Sequence, residues 1–356
     1  WDVVNNRGLS DEVWAKFKEH RVFGLLIPKQ YGGLEFSALG NSSIIAKFGS
    51  RSSTLAITAM VPNSLGPAEL LMHYGTDAQK NYYLPRLASG EEIPCFGLTE
   101  PTAGSDAGAM KATGVVYKTD QGDVKIRMNW EKRWITLAGV STIIGLAFRL
   151  VDPQNILGRG EDLGITCALI PTATPGVDVS QRHDPLNVPF WNCPIIGTNV
   201  EIDLDQIIGG EKQIGNGWRM LMECLSAGRG VTLPATSTGA TKQLVRTVGA
   251  YSQIRQQFGM SIGKFEGVEE PLARIVGSSY IMDSARILTC GAIDSGSKPG
   301  IVSAIMKYHF TEMSRANIND AMDVVGGAGI SCGPRNFLSG AYAAAPIGIT
   351  VEGANI

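Results

Sequence analysis

The spacing of apolar residues along the chain changes twice. Up to about residue 93 apolar side chains recur at helical spacing, as across residues 39–48, and Ser10 offers an N-cap ahead of two acidic residues. From about residue 94 to 207 apolar and polar residues alternate, as across residues 124–130, which is the period of a half-buried strand. Beyond residue 215 the helical spacing returns. This pattern predicts an α+β fold in which helices precede and follow a sheet.

We expect three domains: an N-terminal helical domain at residues 1–93, a middle β-domain at 94–207 and a C-terminal helical bundle at 208–356. Turn residues at 120–123 predict a hairpin in the middle domain, whose short, spaced strands predict a compact antiparallel barrel or sandwich. The C-terminal pattern predicts long helices that are broken mainly by glycine, including one that extends to residue 257.

The composition is that of an ordinary globular protein. The 356 residues are 44% hydrophobic and 18% charged with a formal net charge of −2, so no global charge favours a nucleic-acid partner. No apolar run approaches the roughly 18 residues of a membrane span, which predicts a soluble or at most peripheral protein. Six scattered cysteines favour a reducing cytoplasm, and four unclustered histidines give no metal site. The chain begins at Trp1 without methionine, and we expect residues to be missing from both termini.

Residues 96–108, F-G-L-T-E-P-T-A-G-S-D-A-G, carry the clearest chemical signal. A short apolar run that predicts a buried strand gives way to a loop rich in hydroxyls, in which Pro101 lacks an amide donor and Gly104 frees the backbone. A rigid loop of this kind suits the polar edge of a flat cofactor and a phosphate-bearing ligand. An ordinary surface turn has the same residue types, so the residues alone leave both interpretations open.

Four further segments are candidates, each with a structural alternative. Trp134 beside Thr136 is either a core aromatic or the wall of a flat ring. Arg255 closes a helical stretch, where the helix dipole favours an arginine whether or not it binds pyrophosphate. The glycines at 326–329 follow a helical pattern, which favours a helix end over a dinucleotide loop. Glu352 follows an apolar stretch that would raise its pKa toward that of a general base, although a capping or salt-bridged glutamate fits as well.

In their order along the chain, these segments resemble the acyl-CoA dehydrogenases over essentially the whole sequence. The matching stretches are the loop at 96–108, W-I-T at 134–136, R-Q-Q-F-G at 255–259, G-G-A-G at 326–329 and E-G-A-N at 352–355. Longer stretches, such as E-C-L-S-A-G-R-G, are similar to the large proteobacterial members that act in fatty acid β-oxidation. The resemblance implies the acyl-CoA dehydrogenase fold, with a C-terminal four-helix bundle that here stops before the helix following the last motif.

The resemblance also implies FAD, bound between subunits. On the β-domain it would contact Phe96, Leu98, Thr99, Gly104, Ser105, Trp134, Ile135 and Thr136. From a neighbouring subunit it would be reached by Arg255, Gln257, Phe258, Gly326 and Gly327. Asp323 departs from the family, which often has glutamine there, and Ala354 stands where threonine is common. Because a carboxylate beside the FAD phosphates would repel them, we expect Asp323 to turn away or to be bridged by water.

Glu352 falls on the catalytic base of the family's commoner members, which removes a proton from the carbon α to the thioester while a hydride leaves the β carbon for FAD. The resemblance places Ser105, Arg229 and Gly353 at the substrate, with Arg229 near the base. Some relatives carry the base just before that arginine, where this chain has Gly228, which has no group to serve.

The resemblance thus implies dehydrogenation of medium- to long-chain acyl-CoA to trans-2-enoyl-CoA in fatty acid β-oxidation. The implied electron acceptor is an electron-transfer flavoprotein. We expect a homodimer or homotetramer in the bacterial cytoplasm or at the periphery of the inner membrane. An acyl-CoA oxidase and a non-catalytic acyl-CoA-binding relative are the alternatives.

Overall fold

Helices form the N-terminal part of the chain. The structure is a computed structural model that describes residues 2–64, 66–179 and 181–356, without the side chains of 225–228, so that Trp1 lies outside it. The first helices are α1 (Asp2–Asn5), α2 (Asp11–Glu19), α3 (Ala38–Gly49), α4 (Ser53–Met60), α5 (Pro67–Tyr74) and α6 (Asp77–Ser89). The Ser10 hydroxyl accepts a hydrogen bond from the Val13 amide at 3.4 Å, which confirms the predicted N-cap.

The middle of the chain forms a seven-stranded mixed sheet. Its strands are β1 (Pro94–Gly97), β2 (Thr113–Lys118), β3 (Val124–Thr136), β4 (Ile143–Val151), β5 (Asp162–Pro171), β6 (Val177–Asp178) and β7 (Asn192–Asp203). Their order is β1–β4–β2–β3–β7–β6, with β5 paired to β4, and the turn at 120–123 joins β2 to β3 as predicted. Strand β4 runs parallel to β1 and β2, so the sheet is not wholly antiparallel. Alternation in a sequence identifies the buried face of a strand but not its neighbours.

The last part of the chain is helical, with α7 (Gly217–Ile254), α8 (Glu266–Asp294), α9 (Gly300–Val325), α10 (Gly327–Ile330) and α11 (Ser339–Thr350). The expected glycine breaks in α7 are wrong, because the helix runs unbroken for 38 residues. A Cβ on Gly239 would lie 2.0 Å from the Ala46 carbonyl oxygen, so this glycine permits close packing of α7 on α3. The expected extension to residue 257 is also wrong, since a hairpin of β8 (Gln256–Gln257) and β9 (Met260–Ser261) follows the helix.

The order of helices, sheet and helices confirms the α+β prediction. Helix α7 packs against α3, α4 and α5 and against strand β5, so it connects the N-terminal helices to the sheet. Within the described parts of the chain, we find no helix that combines the length and the apolar character needed to cross a membrane.

Candidate active site

The ends of β1 and β3 lie side by side, which brings two of the sequence candidates together. The Arg133 amide donates to the Thr99 carbonyl at 2.9 Å, and the Lys132 ammonium donates to the Leu98 carbonyl at 3.0 Å. Phe96 is partly buried and packs over Gly145, where a Cβ would lie 2.6 Å from its ring. The candidate residues 96–99 and 134–136 therefore lie on adjacent segments of the chain, at the ends of these two strands.

A buried ion pair anchors these two segments. The Lys132 Nζ lies 2.7 Å from the Glu100 Oε1, and both side chains are almost completely buried. The Glu100 carboxylate also accepts hydrogen bonds from the amides of Lys111 at 2.6 Å and Ala112 at 3.0 Å. Burial raises the pKa of Glu100, but these donors outweigh it and hold the pKa below its usual range. Three segments of the chain, namely the one that carries Glu100, residues 111–112 and strand β3, thereby meet at one carboxylate.

The loop beyond Glu100 presents small groups to solvent. A pair of backbone hydrogen bonds between Glu100 and Ala103, at 3.0 and 3.3 Å, closes the turn. Gly104 and Ser105 follow it and are exposed, and a Cβ on Gly104 would meet nothing within 4 Å. The hydroxyl and backbone amides of this stretch are free to face a ligand.

Trp134 occupies a strained and exposed position. It lies in a register shift between Lys132 and Ile135, has a φ of 57° and is 59% exposed, whereas Ile135 is buried. A left-handed conformation is unfavourable for a bulky residue, and such strain is concentrated at functional sites. The structure therefore excludes the core interpretation of Trp134, which the sequence left open.

Asn192 on β7 supports the Trp134 bulge and was not among the residues predicted from the sequence. Its amide nitrogen donates to the Trp134 carbonyl at 3.0 Å and lies 3.4 Å from the Thr136 hydroxyl. The His183 Nδ1 lies 2.8 Å from its amide oxygen, which fixes the orientation of the side chain. No local motif marks Asn192, because its role depends on the pairing of β3 with β7.

A second group of candidates lies at one end of the helical bundle. Arg255 caps α7 and is exposed, and Phe258 at the tip of the following hairpin is 94% exposed with a φ of 54°. The Tyr251 hydroxyl donates to the Val325 carbonyl at 3.3 Å, which brings this end of α7 next to Gly326. Gly326 ends α9 with a φ of 61°, as the sequence predicts for a helix terminus. Gln257 and Gly327 complete the group, and both are exposed. Among the described residues, no hydrogen bond joins this group to the Trp134 segment.

Glu352 lies in a sharp turn just after α11. Glu352 and Gly353 have φ values of 54° and 88°, so two consecutive residues are left-handed. Both carboxylate oxygens of Glu352 are buried, and neither accepts a hydrogen bond from any described residue. Burial raises the pKa of Glu352 to about 7, against the opposing influence of Arg229 and Lys307. A carboxyl group in this state exchanges protons near neutral pH.

Two cations from different helices lie near this carboxylate. The guanidinium of Arg229, on α7, lies beside Gly353, where a Cβ would be 3.3 Å from Nη2, and its buried Nε has no partner among the described residues. Lys307, on α9, bonds to the turn itself and was missed by the sequence analysis. Its one sequence signal is that this lysine directly follows the largely apolar stretch at 301–306.

Comparison with known sequences identifies the family. The chain matches the acyl-CoA dehydrogenase N-terminal domain over residues 1–91, the middle domain over 95–200 and the C-terminal domain over 215–355. It therefore belongs to the acyl-CoA dehydrogenase family, whose members are flavin-dependent oxidoreductases that use FAD.

The similar curated proteins differ in name and length. The chain is 31% identical to the 3-(aryl)acrylate reductase of Clostridium sporogenes over 324 residues, which cover 89% of this chain and 80% of that protein. It is 29% identical to the probable acyl-CoA dehydrogenase FadE10 of Mycobacterium tuberculosis over 323 residues, or 90% of this chain. A 104-residue stretch, 29% of the chain, is 55% identical to Protein HemX of Proteus mirabilis. The chain spans 61% of HemX and about half, 48%, of FadE10.

Solved structures share the fold. The butyryl-CoA dehydrogenase of Megasphaera elsdenii superposes with a TM-score of 0.86 at 22% identity, over 99% of this chain and 88% of that chain. An acyl-CoA dehydrogenase of Bacillus anthracis complexed with FAD gives a TM-score of 0.86 at 23% identity, over 96% of this chain and 58% of that chain.

The residues at the ends of β1 and β3 fit a flavin. Trp134 offers an exposed aromatic face on a strained bulge, the hydroxyls of Thr99 and Thr136 lie on the two adjacent segments, and the open backbone around Gly104 leads to Ser105. A flat ring with a polar edge and a phosphate chain needs an aromatic face, donors and free amides of this kind.

Proposed function

We propose that this chain is an FAD-dependent acyl-CoA dehydrogenase that converts medium- or long-chain acyl-CoA to trans-2-enoyl-CoA in fatty acid β-oxidation. The observation that carries the proposal is the Glu352 carboxylate, which is buried, accepts no hydrogen bond from a described residue and has a pKa raised to about 7. A base of this pKa is deprotonated in about half of the molecules at pH 7 and is basic enough to remove a proton from the substrate.

In this proposal Glu352 removes the proton α to the thioester carbonyl. Arg229 limits the rise of the Glu352 pKa, so the carboxyl still ionises near neutrality despite its burial. The Glu352 backbone N–H donates to the thioester oxygen as negative charge develops there, with Gly353 beside it. FAD, when bound, supplies the acceptor for the hydride that leaves the β carbon.

We assign FAD binding to the two groups of residues described above. Phe96, Leu98, Thr99, Gly104, Ser105, Trp134, Ile135 and Thr136 would hold the flavin and its phosphates on one subunit, and Ser105 would also contact the CoA portion of the substrate. Arg255, Gln257, Phe258, Gly326 and Gly327 would reach the FAD of a neighbouring subunit. The extreme exposure of Phe258, at 94%, supports this assignment, because an aromatic at a hairpin tip that contacts the Phe265 ring by an edge and is otherwise exposed gains further burial from a partner.

We also propose that the chain forms a homodimer or homotetramer. Helices α8 and α9 expose large apolar side chains, among them Tyr280 at 76%, Leu288 at 74% and Ile301 at 80%. Several large apolar side chains exposed on two packed helices favour an interface with another subunit. Family membership supports an electron-transfer flavoprotein as acceptor, and the six free cysteines agree with the reducing cytoplasm, with at most peripheral membrane contact.

Two rival functions use the same fold. An acyl-CoA oxidase would pass its electrons to oxygen, and a non-catalytic acyl-CoA-binding relative would transfer none. The relative that is 31% identical is named a reductase, so the direction of the reaction is also to be tested.

The deciding experiment is an anaerobic flavin spectrum before and after addition of acyl-CoAs of graded chain length. We expect rapid bleaching of wild-type flavin, slow reoxidation by oxygen and fast reoxidation by electron-transfer flavoprotein. Glu352→Gln should keep FAD and bleach about 100- to 10,000-fold more slowly, because the base is lost. The exposed Glu161→Gln should behave as wild type.

Bleaching of Glu352→Gln at the wild-type rate would overturn the assignment of the base. Rapid reoxidation by oxygen would identify an oxidase, and binding of acyl-CoA without bleaching would identify a non-catalytic protein.

A further inference from the structure

The turn that carries Glu352 has few bonds of its own. Helix α11 ends at Thr350, and within the backbone the turn is closed by the Asn355 amide, which donates to the Ile349 carbonyl at 3.0 Å. Left-handed backbone costs about 1–2 kcal/mol for a residue other than glycine, and Glu352 adopts it. Such a conformation persists only where interactions with the surrounding structure hold it in place.

Lys307, on the neighbouring helix α9, holds the turn in this conformation through three hydrogen bonds. Its Nζ lies 3.1 Å from the Ile349 carbonyl oxygen, 2.7 Å from the Gly353 carbonyl oxygen and 2.7 Å from the Asn355 Oδ1. An ammonium group has three donors, so all are used, and the side chain is only 3% exposed. The three acceptors lie on both sides of Glu352 in the sequence.

Asn355 links the same turn to α9 through two further hydrogen bonds. Its amide nitrogen donates to the Thr311 hydroxyl at 3.0 Å and to the Glu312 carboxylate at 2.9 Å. Thr311 lies one helical turn beyond Lys307 on α9, so one face of that helix bonds to the turn at two levels. The Ile349 carbonyl belongs to the C-terminal end of α11, where the helix dipole favours a cation.

We propose that Lys307, with Asn355, is a positioning residue that fixes the Glu352 turn and keeps the carboxylate in place for proton abstraction. The inference rests on the proposed function, but the claim that Lys307 and Asn355 fix the conformation of the turn does not depend on catalysis. The charged groups that face Glu352 are Arg229 from α7 and Lys307 from α9, and those that face Lys307 are Glu352, Arg229 and Glu312. Loss of the ammonium therefore removes one of two cations near the base.

The test is Lys307→Met, compared with wild type and with Lys47→Met, which removes an exposed lysine from α3. We expect Lys307→Met to bind FAD, to lower kcat by about 100-fold with little change in KM, and to move the acidic limb of kcat/KM up by about 1 pH unit. Hydrogen exchange of residues 347–356 should become faster in the free protein, with or without substrate. Lys307→Arg keeps the charge, so the acidic limb should stay while kcat falls.

The inference is overturned if Lys307→Met retains the wild-type kcat, pH profile and hydrogen exchange at 347–356. Should that variant fail to fold, Asn355→Ala tests the same hydrogen bonds between the turn and α9. Unchanged hydrogen exchange at 347–356 and unchanged kcat in Asn355→Ala would overturn the inference as well. A failure of the proposed function has a different signature: Glu352→Gln then keeps its flavin reduction, whereas the exchange at 347–356 still responds to Lys307→Met.

Discussion

Two buried glutamates of this protein have opposite surroundings. Glu100 is 4% exposed and accepts hydrogen bonds from Lys132 at 2.7 Å and from the amides of Lys111 at 2.6 Å and Ala112 at 3.0 Å. Glu352 has buried carboxylate oxygens and accepts none from a described residue. Burial raises the pKa of both, but donors reverse the effect at Glu100, whereas the pKa of Glu352 stays at about 7.

The difference shows that the donors, more than burial, decide the role of a buried carboxylate. With its pKa lowered, Glu100 contributes stability above the ordinary pKa of glutamate and loses it as the pH falls. With its pKa raised, Glu352 contributes stability below that ordinary pKa and loses it as the pH rises through about 7. Glu100 is therefore an anchor at neutral pH, and Glu352 is a site at which a proton is exchanged.

Breaking the Glu100 pair should give the largest effect. Lys132→Met leaves a buried carboxylate without its cation, and we expect a loss of about 3–5 kcal/mol in the free energy of unfolding. The measurement is denaturant unfolding at pH 7, together with FAD content, because Lys132 also holds the Leu98 carbonyl.

The exposed pair Arg149–Asp162, between β4 and β5, provides the matched control. Arg149→Met should change stability far less, since exposed pairs contribute little. Equal losses in the two variants would show that burial of the Glu100 pair is not what makes it stabilising.

Removing the Glu352 charge should change the free energy of unfolding in the opposite direction. Glu352→Gln abolishes the cost of ionising a buried carboxyl, so the variant should be more stable than wild type above pH 7, by up to about 3 kcal/mol, and equal to it near pH 4. Thermal unfolding across pH 4 to 9 measures this difference. A stability difference that does not change with pH would contradict the raised pKa.

The sequence predicted the parts of this comparison that depend on local order. The strand–loop at 96–108, the hairpin turn at 120–123, the helix end at 326 and the apolar approach to Glu352 all follow from neighbours in the chain. The fold class and the family followed from their succession. For Trp134 the residues alone left a core position and a ligand wall open, and the structure excluded the first.

The parts that the sequence missed depend on residues far apart. Lys132 pairs with Glu100 across 32 positions, Asn192 reaches Trp134 across 58, and Lys307 reaches Gly353 across 46. Asn192 and Lys307 each follow apolar residues, which is a weak local signal, whereas Lys132 stands between two charged residues and has no such signal. The prediction of glycine breaks in α7 was wrong for a related reason, because Gly239 permits a close contact with α3 and Gly230 one with α9, and neither interrupts the helix.

The smallest expected effect concerns Asn192, which holds the Trp134 segment with a neutral side chain, whereas Lys132 holds the neighbouring residues with a charged one. Asn192→Ala leaves the Trp134 carbonyl without its donor, and we expect a loss of about 1–2 kcal/mol with FAD binding weakened by about tenfold. Asn129→Ala is the control, since Asn129 bonds the Asn199 amide farther along β3. Flavin titration and Trp134 fluorescence measure the effect, and equal FAD affinity in the two variants would show that the bulge keeps its conformation without Asn192. A loss as large as that of Lys132→Met would mean that this neutral hydrogen bond stabilises the region as much as the buried ion pair does.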